Sequence, residues 1–215
     1  MISLAGTLAA PFPYFGGKAL ACSEVWRALG DVDNYVEPFA GSAAMLLGAP
    51  DGKRIETIND ADGFIVNFWR AVAADPDAVT YWADWPCTEA DLEARHAWLV
   101  VRAERLRWQL EDPDFYDAKI AGWWCWGACN WIGSGWCDGK GPHQTNGAAI
   151  FDSRQLPHLS AGRGINRQLP HLSAGRGEHP RTAFIREWMH KLATRLRDVR
   201  VTCGDWQRTV KDSVT

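Results

Sequence analysis

The sequence has no strong charge of either sign: 23 Lys and Arg stand against 26 Asp and Glu, a net charge of −3 over 215 residues. That balance excludes a chain drawn to polyanions by its overall field, so any such surface must be a local patch. The six cysteines (Cys22, Cys87, Cys125, Cys129, Cys137 and Cys203) include no paired C-x-x-C spacing. Residues 1–10 lack the basic start of a secretory leader, so these read as reduced thiols of a cytoplasmic protein. A zinc site from Cys125, Cys129 and Cys137 is disfavoured, because metal sites use tighter paired spacings, and no metal is expected. Long apolar runs are also missing. Residues 120–137 carry no charge, yet that run just reaches the shortest membrane span, about 18 residues. It is interrupted by Asn130 and Gly133-Ser134-Gly135, with tryptophans throughout instead of at its ends, so a buried helix leading into a loop is expected and no span.

What is present is an ordinary globular balance, 47% hydrophobic and 23% charged, enough for one good core or for one domain with a sizeable insertion. Thirteen tryptophans are many for this length. Most belong in a core, although flat indoles also suit stacking on planar ligands.

Residues 34–47, NYVEPFAGSAAMLL, organise the rest. Tyr35 and Val36 predict a short strand, followed by an acid, a proline and a glycine turn that opens a helix. Small residues at Ala40, Gly41 and Ser42 let the backbone approach a ligand closely, and the first helical turn offers free N–H groups. Alone this is an ordinary strand–helix corner. Two flanking segments sharpen it. Upstream lies Pro13-Tyr14-Phe15-Gly16-Gly17-Lys18. Downstream, residues 55–58 predict a second strand ending in Asn59-Asp60-Ala61-Asp62, then a helix over 62–73 containing Asn67-Phe68-Trp69.

In this order and spacing the three segments resemble the Dam-like family of DNA N6-adenine methyltransferases. The resemblance is close over residues 11–70 and looser over 130–152 and 200–210. It implies an α/β, Rossmann-like S-adenosylmethionine-dependent methyltransferase fold with an inserted, mainly helical DNA-recognition domain. It divides the chain into a donor-binding part (1–74), an insertion (75–181) and a return to the methyltransferase domain (182–215). S-adenosylmethionine is the implied cofactor and double-stranded DNA the implied partner, in a bacterial or phage-infected cell. Tyr14, Gly17 and Lys18 then pack on the donor, with Lys18 near its carboxylate, where a cation offsets charge. Glu37, Pro38, Phe39, Gly41 and Ser42 hold its methionine portion. Asp60, an acid at a strand end, accepts from ribose hydroxyls, against the alternative of a cap for the next helix. Asp205 and Trp206 hold the donor's adenine, with an N-cap role for Asp205 equally open.

Between these parts the chain turns helical. Thr88 and Asp91 predict a helix start, and Leu92, Leu99, Ala103, Leu106 and Leu110 form one apolar stripe at helical spacing. A tryptophan-rich helix is expected within 114–136. The resemblance implies that Asn130 reads a base edge and that Lys140 touches phosphate; a plain core and loop is the alternative. Residues 154–164 read RQLPHLSAGRG and residues 167–177 repeat all eleven. Pro, Gly and Ser make this a loop. It is either a tolerated duplication or a basic arm in which Arg154, Arg163, Arg167 and Arg176 meet DNA phosphates. Residues 182–198 predict an amphipathic helix, with Ile185, Trp188, Leu192 and Leu196 on one side. Residues 199–203 predict a third strand.

The resemblance breaks at one place. The family carries an Asp/Asn-Pro-Pro-aromatic element that holds the target adenine and aims its amino group. No Pro-Pro pair occurs here. Asp112-Pro113-Asp114-Phe115 is rejected because it follows a charged helix. The expectation is therefore the front part of such an enzyme, catalytically impaired alone. It is a member completed by a separate chain or a non-catalytic DNA-binding remnant; a small-molecule methyltransferase leaves the Arg-rich loop without purpose.

Overall fold

The computed structural model describes residues 8–14, 18–131, 135–137 and 180–210. Three parallel strands form the sheet: β1 (Asn34–Glu37), β2 (Ile55–Asp60) and β3 (Val199–Cys203), in the order β1-β2-β3. Asn34 lies opposite Ile55 and Glu37 opposite Ile58, while Glu56 pairs with Val199 and Asp60 with Cys203. All three strands point the same way, so their carboxyl ends gather the loops that follow them. Parallel strands need long crossovers, usually helical. Here α1 (Cys22–Leu29) precedes β1, α2 (Ala44–Leu47) lies between β1 and β2, and the β2–β3 crossover carries all the remaining helices.

Helix α3 (Gly63–Ala74) is the central element. Asp62 caps it by accepting the Phe64 N–H at 2.8 Å. Its FIVNFW run is apolar around the whole circumference, which suits a helix buried on all sides. Phe64, Ile65, Val66, Phe68 and Trp69 are indeed buried. Its buried Asn67 is paired: Nδ2 donates to the Asp117 carbonyl (2.9 Å) and Oδ1 accepts the Asp117 N–H (2.8 Å). The Asp117 carboxylate in turn caps α7 (Ala118–Asn130) through the Ile120 N–H. Helix α4 (Pro76–Ala83) starts with Asp75 as cap and Pro76 in the first turn, where a missing N–H costs nothing. Helices α4 and α7 and helix α8 (Pro180–Leu196) pack with α3 into one apolar core that continues under the sheet. The helices expected as an insertion thus share the core of the α/β part.

One expectation about the elements changes. The stripe from Leu92 to Leu110 is carried by two helices, α5 (Glu89–Val100) and α6 (Ala103–Gln109), with a turn at Val101 and Arg102. The β-branched pair Val100-Val101 weakens the helix at that point, and the chain tightens there, the Arg102 N–H bonding the Leu99 carbonyl three residues back. Leu92, Leu99, Leu106 and Leu110 are still all buried. Residues just before the first motif are packed into the core. Phe12 is 2% exposed, with ring centroids 4.7 Å from Trp124 and 5.2 Å from Phe68. Trp188 donates its indole N–H to the Ala9 carbonyl at 3.0 Å. No helix among the described residues is long and apolar enough to cross a membrane.

Candidate functional site

The carboxyl ends of the three strands are tied into one unit by residues from all three. Asn59, 2% exposed, sits at the centre. Its Nδ2 donates to the Pro38 carbonyl after β1 and to the Gly204 carbonyl after β3, both at 3.0 Å. Its Oδ1 accepts from the Thr202 hydroxyl at 2.9 Å. The main chain repeats the connection: the Ala40 N–H bonds the Asn59 carbonyl and the Gly204 N–H bonds the Asp60 carbonyl. Sequence reasoning missed this residue's role. A polar residue at the end of an apolar strand was its only signal.

Asp60 makes the next layer. Its Oδ2 accepts the Gly41 N–H at 2.9 Å and its Oδ1 the Asp62 N–H at 3.0 Å. It does not cap α3; Asp62 does. Gly41 has φ +51°, the left-handed region, and a Cβ there would lie 2.6 Å from the Tyr14 ring. The glycine is required, but the space it leaves is filled by Tyr14 lying across it. Trp69 donates its indole N–H to the Gly41 carbonyl at 3.1 Å, holding the turn from below. Ala43, a non-glycine residue, also has φ +51°, so the turn is held by its surroundings in a sparsely populated conformation. Ser42 is buried beside it. The Tyr14 hydroxyl is pushed up to about 12 by burial and then by the negative charges of Asp60 and Asp62. Burial likewise raises Asp62, against the pull of its bond to the Phe64 N–H.

Lys18 and Glu37 form an ion pair at 2.5 Å, and Lys18 also donates to the Phe39 carbonyl at 2.6 Å. Glu37 is 3% exposed, and burial pushes its carboxyl above the usual range while Lys18 holds it down. Lys18 thus carries its own counter-charge within the fold. On the outer side Phe39 and Trp206 are exposed, with ring centroids 6.2 Å apart. Asp205 accepts the Gln207 N–H at 2.8 Å and caps the short turn Trp206–Arg208, so its capping role is real. A cavity of about 370 Å³ is lined by Lys18, Glu37 and Pro38, and two more open near Asp60 and Asp205. One, of about 660 Å³, is lined by Asp60, Asp62, Phe64, Glu104 and Arg107. The other, of about 800 Å³, holds Asp205 and shares Ala61 and Arg107 with the first.

Tyr14, Lys18, Glu37, Pro38, Phe39, Gly41, Asp60, Asp205 and Trp206 therefore converge on one end of the sheet. Gly17, Lys140, Arg154, Arg163, Arg167 and Arg176 lie outside the described residues. Asn130 ends α7 and donates its side-chain amide to the Trp126 carbonyl of its own helix at 2.6 Å. Cys125 and Cys129 are buried, and Cys129 donates to the Pro11 carbonyl. Among the described residues no group of His, Cys, Asp or Glu could hold a metal ion.

This end of the sheet thus offers a carboxylate at a strand end, an ion pair and two exposed aromatics. Residues 14–96 match the family model for D12 class N6 adenine-specific DNA methyltransferase. That segment contains the Gly41 turn, Asp60 and α3, and the match agrees with the Dam-like resemblance of the three motifs. No curated protein matches the chain.

Proposed function

We propose that this chain binds S-adenosylmethionine at the carboxyl ends of its strands and serves the methylation of adenine N6 in duplex DNA, the reaction of the D12 class. The observation that carries this reading is the junction of Asp60 with Gly41 beneath Tyr14, which joins the three motif segments at one spot. Asp60 has two oxygens with further lone pairs for ribose hydroxyls beyond the two N–H groups it already accepts. Lys18, whose side chain is 38% exposed above the buried Glu37, is the proposed contact of the donor's carboxylate end. Asp205 and Trp206 bound the adenine, with Phe39 beside them. When bound, the donor supplies an electrophilic methyl group; the residues here hold and orient it and shield it from water. Asn130, Lys140, Arg154, Arg163, Arg167 and Arg176 are the proposed DNA contacts, and the bacterial or phage-infected cytoplasm is the proposed setting.

The 215 residues contain no Asp/Asn-Pro-Pro-aromatic element, so no group here is assigned to the target adenine. We infer that transfer needs that element from outside these 215 residues. Among the described residues β1 pairs on one side only, with β2, and an unpaired parallel edge is where a further strand joins a sheet. Calorimetric titration with S-adenosylmethionine, beside transfer of labelled methyl to an adenine-containing duplex, tests the reading. Donor binding without transfer is the expected result for the chain alone. Transfer by these 215 residues alone overturns the need for that element, and absence of donor binding overturns the donor site.

A further inference from the structure

The larger cavity has an unusual wall. Three guanidiniums from three separate elements rim it: Arg70 of α3, Arg107 of α6 and Arg208 beyond β3. Each is anchored to the main chain. Arg70 Nη1 donates to the carbonyls of Leu110 (3.1 Å) and Asp112 (2.9 Å), Arg107 Nη2 to that of Ala61 (2.8 Å), and Arg208 Nη1 to that of Cys203 (3.3 Å). None of the three forms an ion pair within 4.0 Å among the described residues. Two carboxylates, Glu111 and Asp205, share the cavity wall, and Asp205 already accepts the Gln207 N–H. Cys203 registers the field. Burial raises its thiol, Arg107 and then Arg70 oppose that rise, and the carboxylates of Asp62 and Asp60 add to it.

A guanidinium has five N–H donors, so anchoring through one nitrogen leaves further donors on each. Three cations held at one cavity without ion-pair partners repel one another, and an anion among them relieves that repulsion. A guanidinium fork pairs with carboxylate or phosphate alike, but a phosphate has more oxygens to share among three forks than a carboxylate's two. We propose that this cavity is a phosphate-ester subsite, held by Arg70, Arg107 and Arg208. The ester comes either from a free adenine nucleotide or from the backbone of a nucleic acid. The subsite does not depend on the donor reading, although Asp205 borders both.

The full chain is titrated calorimetrically with AMP, with adenosine and with a short DNA duplex at fixed salt. The same titrations are made on Arg107→Gln, Arg208→Gln and, as control, Arg105→Gln, whose side chain is exposed on α6 and does not line the cavity. Arg70 is left intact because it holds the segment after α6. The expected result is a loss of about tenfold in both cavity variants and of less than about twofold in the control. If the loss is in AMP binding, with adenosine unaffected, the ester is a nucleotide's; if it is in duplex binding, the ester is the backbone's. Unchanged affinity for both probes in folded variants, or no binding of either probe to the wild type, overturns the proposal. Should Arg107→Gln melt early through loss of its bond to Ala61, Arg208→Gln, whose anchor is the longest, decides. Titration of S-adenosylmethionine into the same variants separates this outcome from failure of the donor site.

Discussion

Asp60 holds the main-chain N–H of Gly41 at 2.9 Å, so the loop after β1 and the end of β2 move as one piece. The same carboxylate accepts the Asp62 N–H at the start of α3. Asp60→Ala removes both acceptors and leaves two amides at a half-buried site. Bonds to a charged acceptor contribute about 1.5–3 kcal/mol each, but water replaces part of that here. We expect a loss of about 2 kcal/mol in urea unfolding and at least a tenfold loss of S-adenosylmethionine affinity. Asp60→Asn, which keeps one acceptor, recovers part of the stability but not the affinity. Full donor affinity in Asp60→Asn would remove Asp60 from the ribose contact.

Gly41 and Tyr14 make a steric pair. A Cβ at Gly41 meets the Tyr14 ring at 2.6 Å, and the backbone there has φ +51°. Gly41→Ala therefore carries two costs, a left-handed alanine of about 1–2 kcal/mol and a clash. The clash is removed by Tyr14→Ala, the backbone cost is not. A double-mutant cycle by chemical unfolding is expected to give a coupling of about 1 kcal/mol or more, with the double variant more stable than the sum of the singles implies. Additive losses would mean that Tyr14 swings away freely and does not press on the turn.

The elements around this site were legible in the sequence because local chemistry and tertiary fit agree. Tyr35-Val36 predicts β1, residues 55–58 predict β2, and the third strand runs from Val199 to Cys203 as expected. Residue 62 caps α3 and Thr88 caps α5, accepting the Asp91 N–H at 3.1 Å. What was not legible depends on partners far along the chain. Asn59 reads as a turn or cap residue, yet one of its partners, Gly204, is 145 positions away. Phe12 lies in a stretch without periodicity, and only the assembled helices supply its aromatic neighbours. Lys18 reads as a cation for a ligand; its own fold gives it Glu37. The break between α5 and α6 has no Gly or Pro to announce it.

Asn59 offers the sharpest test of the three-strand junction. Asn59→Ala withdraws two N–H donors from the Pro38 and Gly204 carbonyls and an acceptor from the Thr202 hydroxyl. Thr202 keeps the Ile58 carbonyl at 3.2 Å; the two carbonyls lose a buried donor. Leaving buried polar groups unmet costs about 1–3 kcal/mol each, so we expect roughly 2–4 kcal/mol in denaturant unfolding. Hydrogen exchange localises the effect: the amides of Ala40 and Gly204, which bond β2's main chain, lose protection before those of α3. Uniform loss of protection would show that the junction opens only with the whole fold.

The pair of Lys18 with Glu37 predicts a pH dependence whose sign is fixed by burial. Burial raises the Glu37 carboxyl in the folded state, and Lys18 lowers it again. Unfolded, a glutamate titrates near 4.3, to about a unit. A folded value above the unfolded one means that the native state binds the extra proton. The contribution of this group is then fully present below the unfolded value and is lost as pH rises through the folded one. Lys18→Met takes away the charge that limits this loss. The buried carboxyl shifts further up, and the loss extends to higher pH. The substitution should therefore cost little near pH 4, where Glu37 is protonated in both proteins. Near neutrality it should cost about 1–3 kcal/mol, the desolvation penalty of a buried charge left without its partner after some relaxation. Glu37→Gln in the same background should abolish the difference between acid and neutral pH. Unfolding free energies measured from pH 4 to 8 for the wild type, Lys18→Met and the double variant decide it. A Lys18→Met penalty that is the same at both ends of that range would show that Lys18 acts through its bond to the Phe39 carbonyl and not through Glu37.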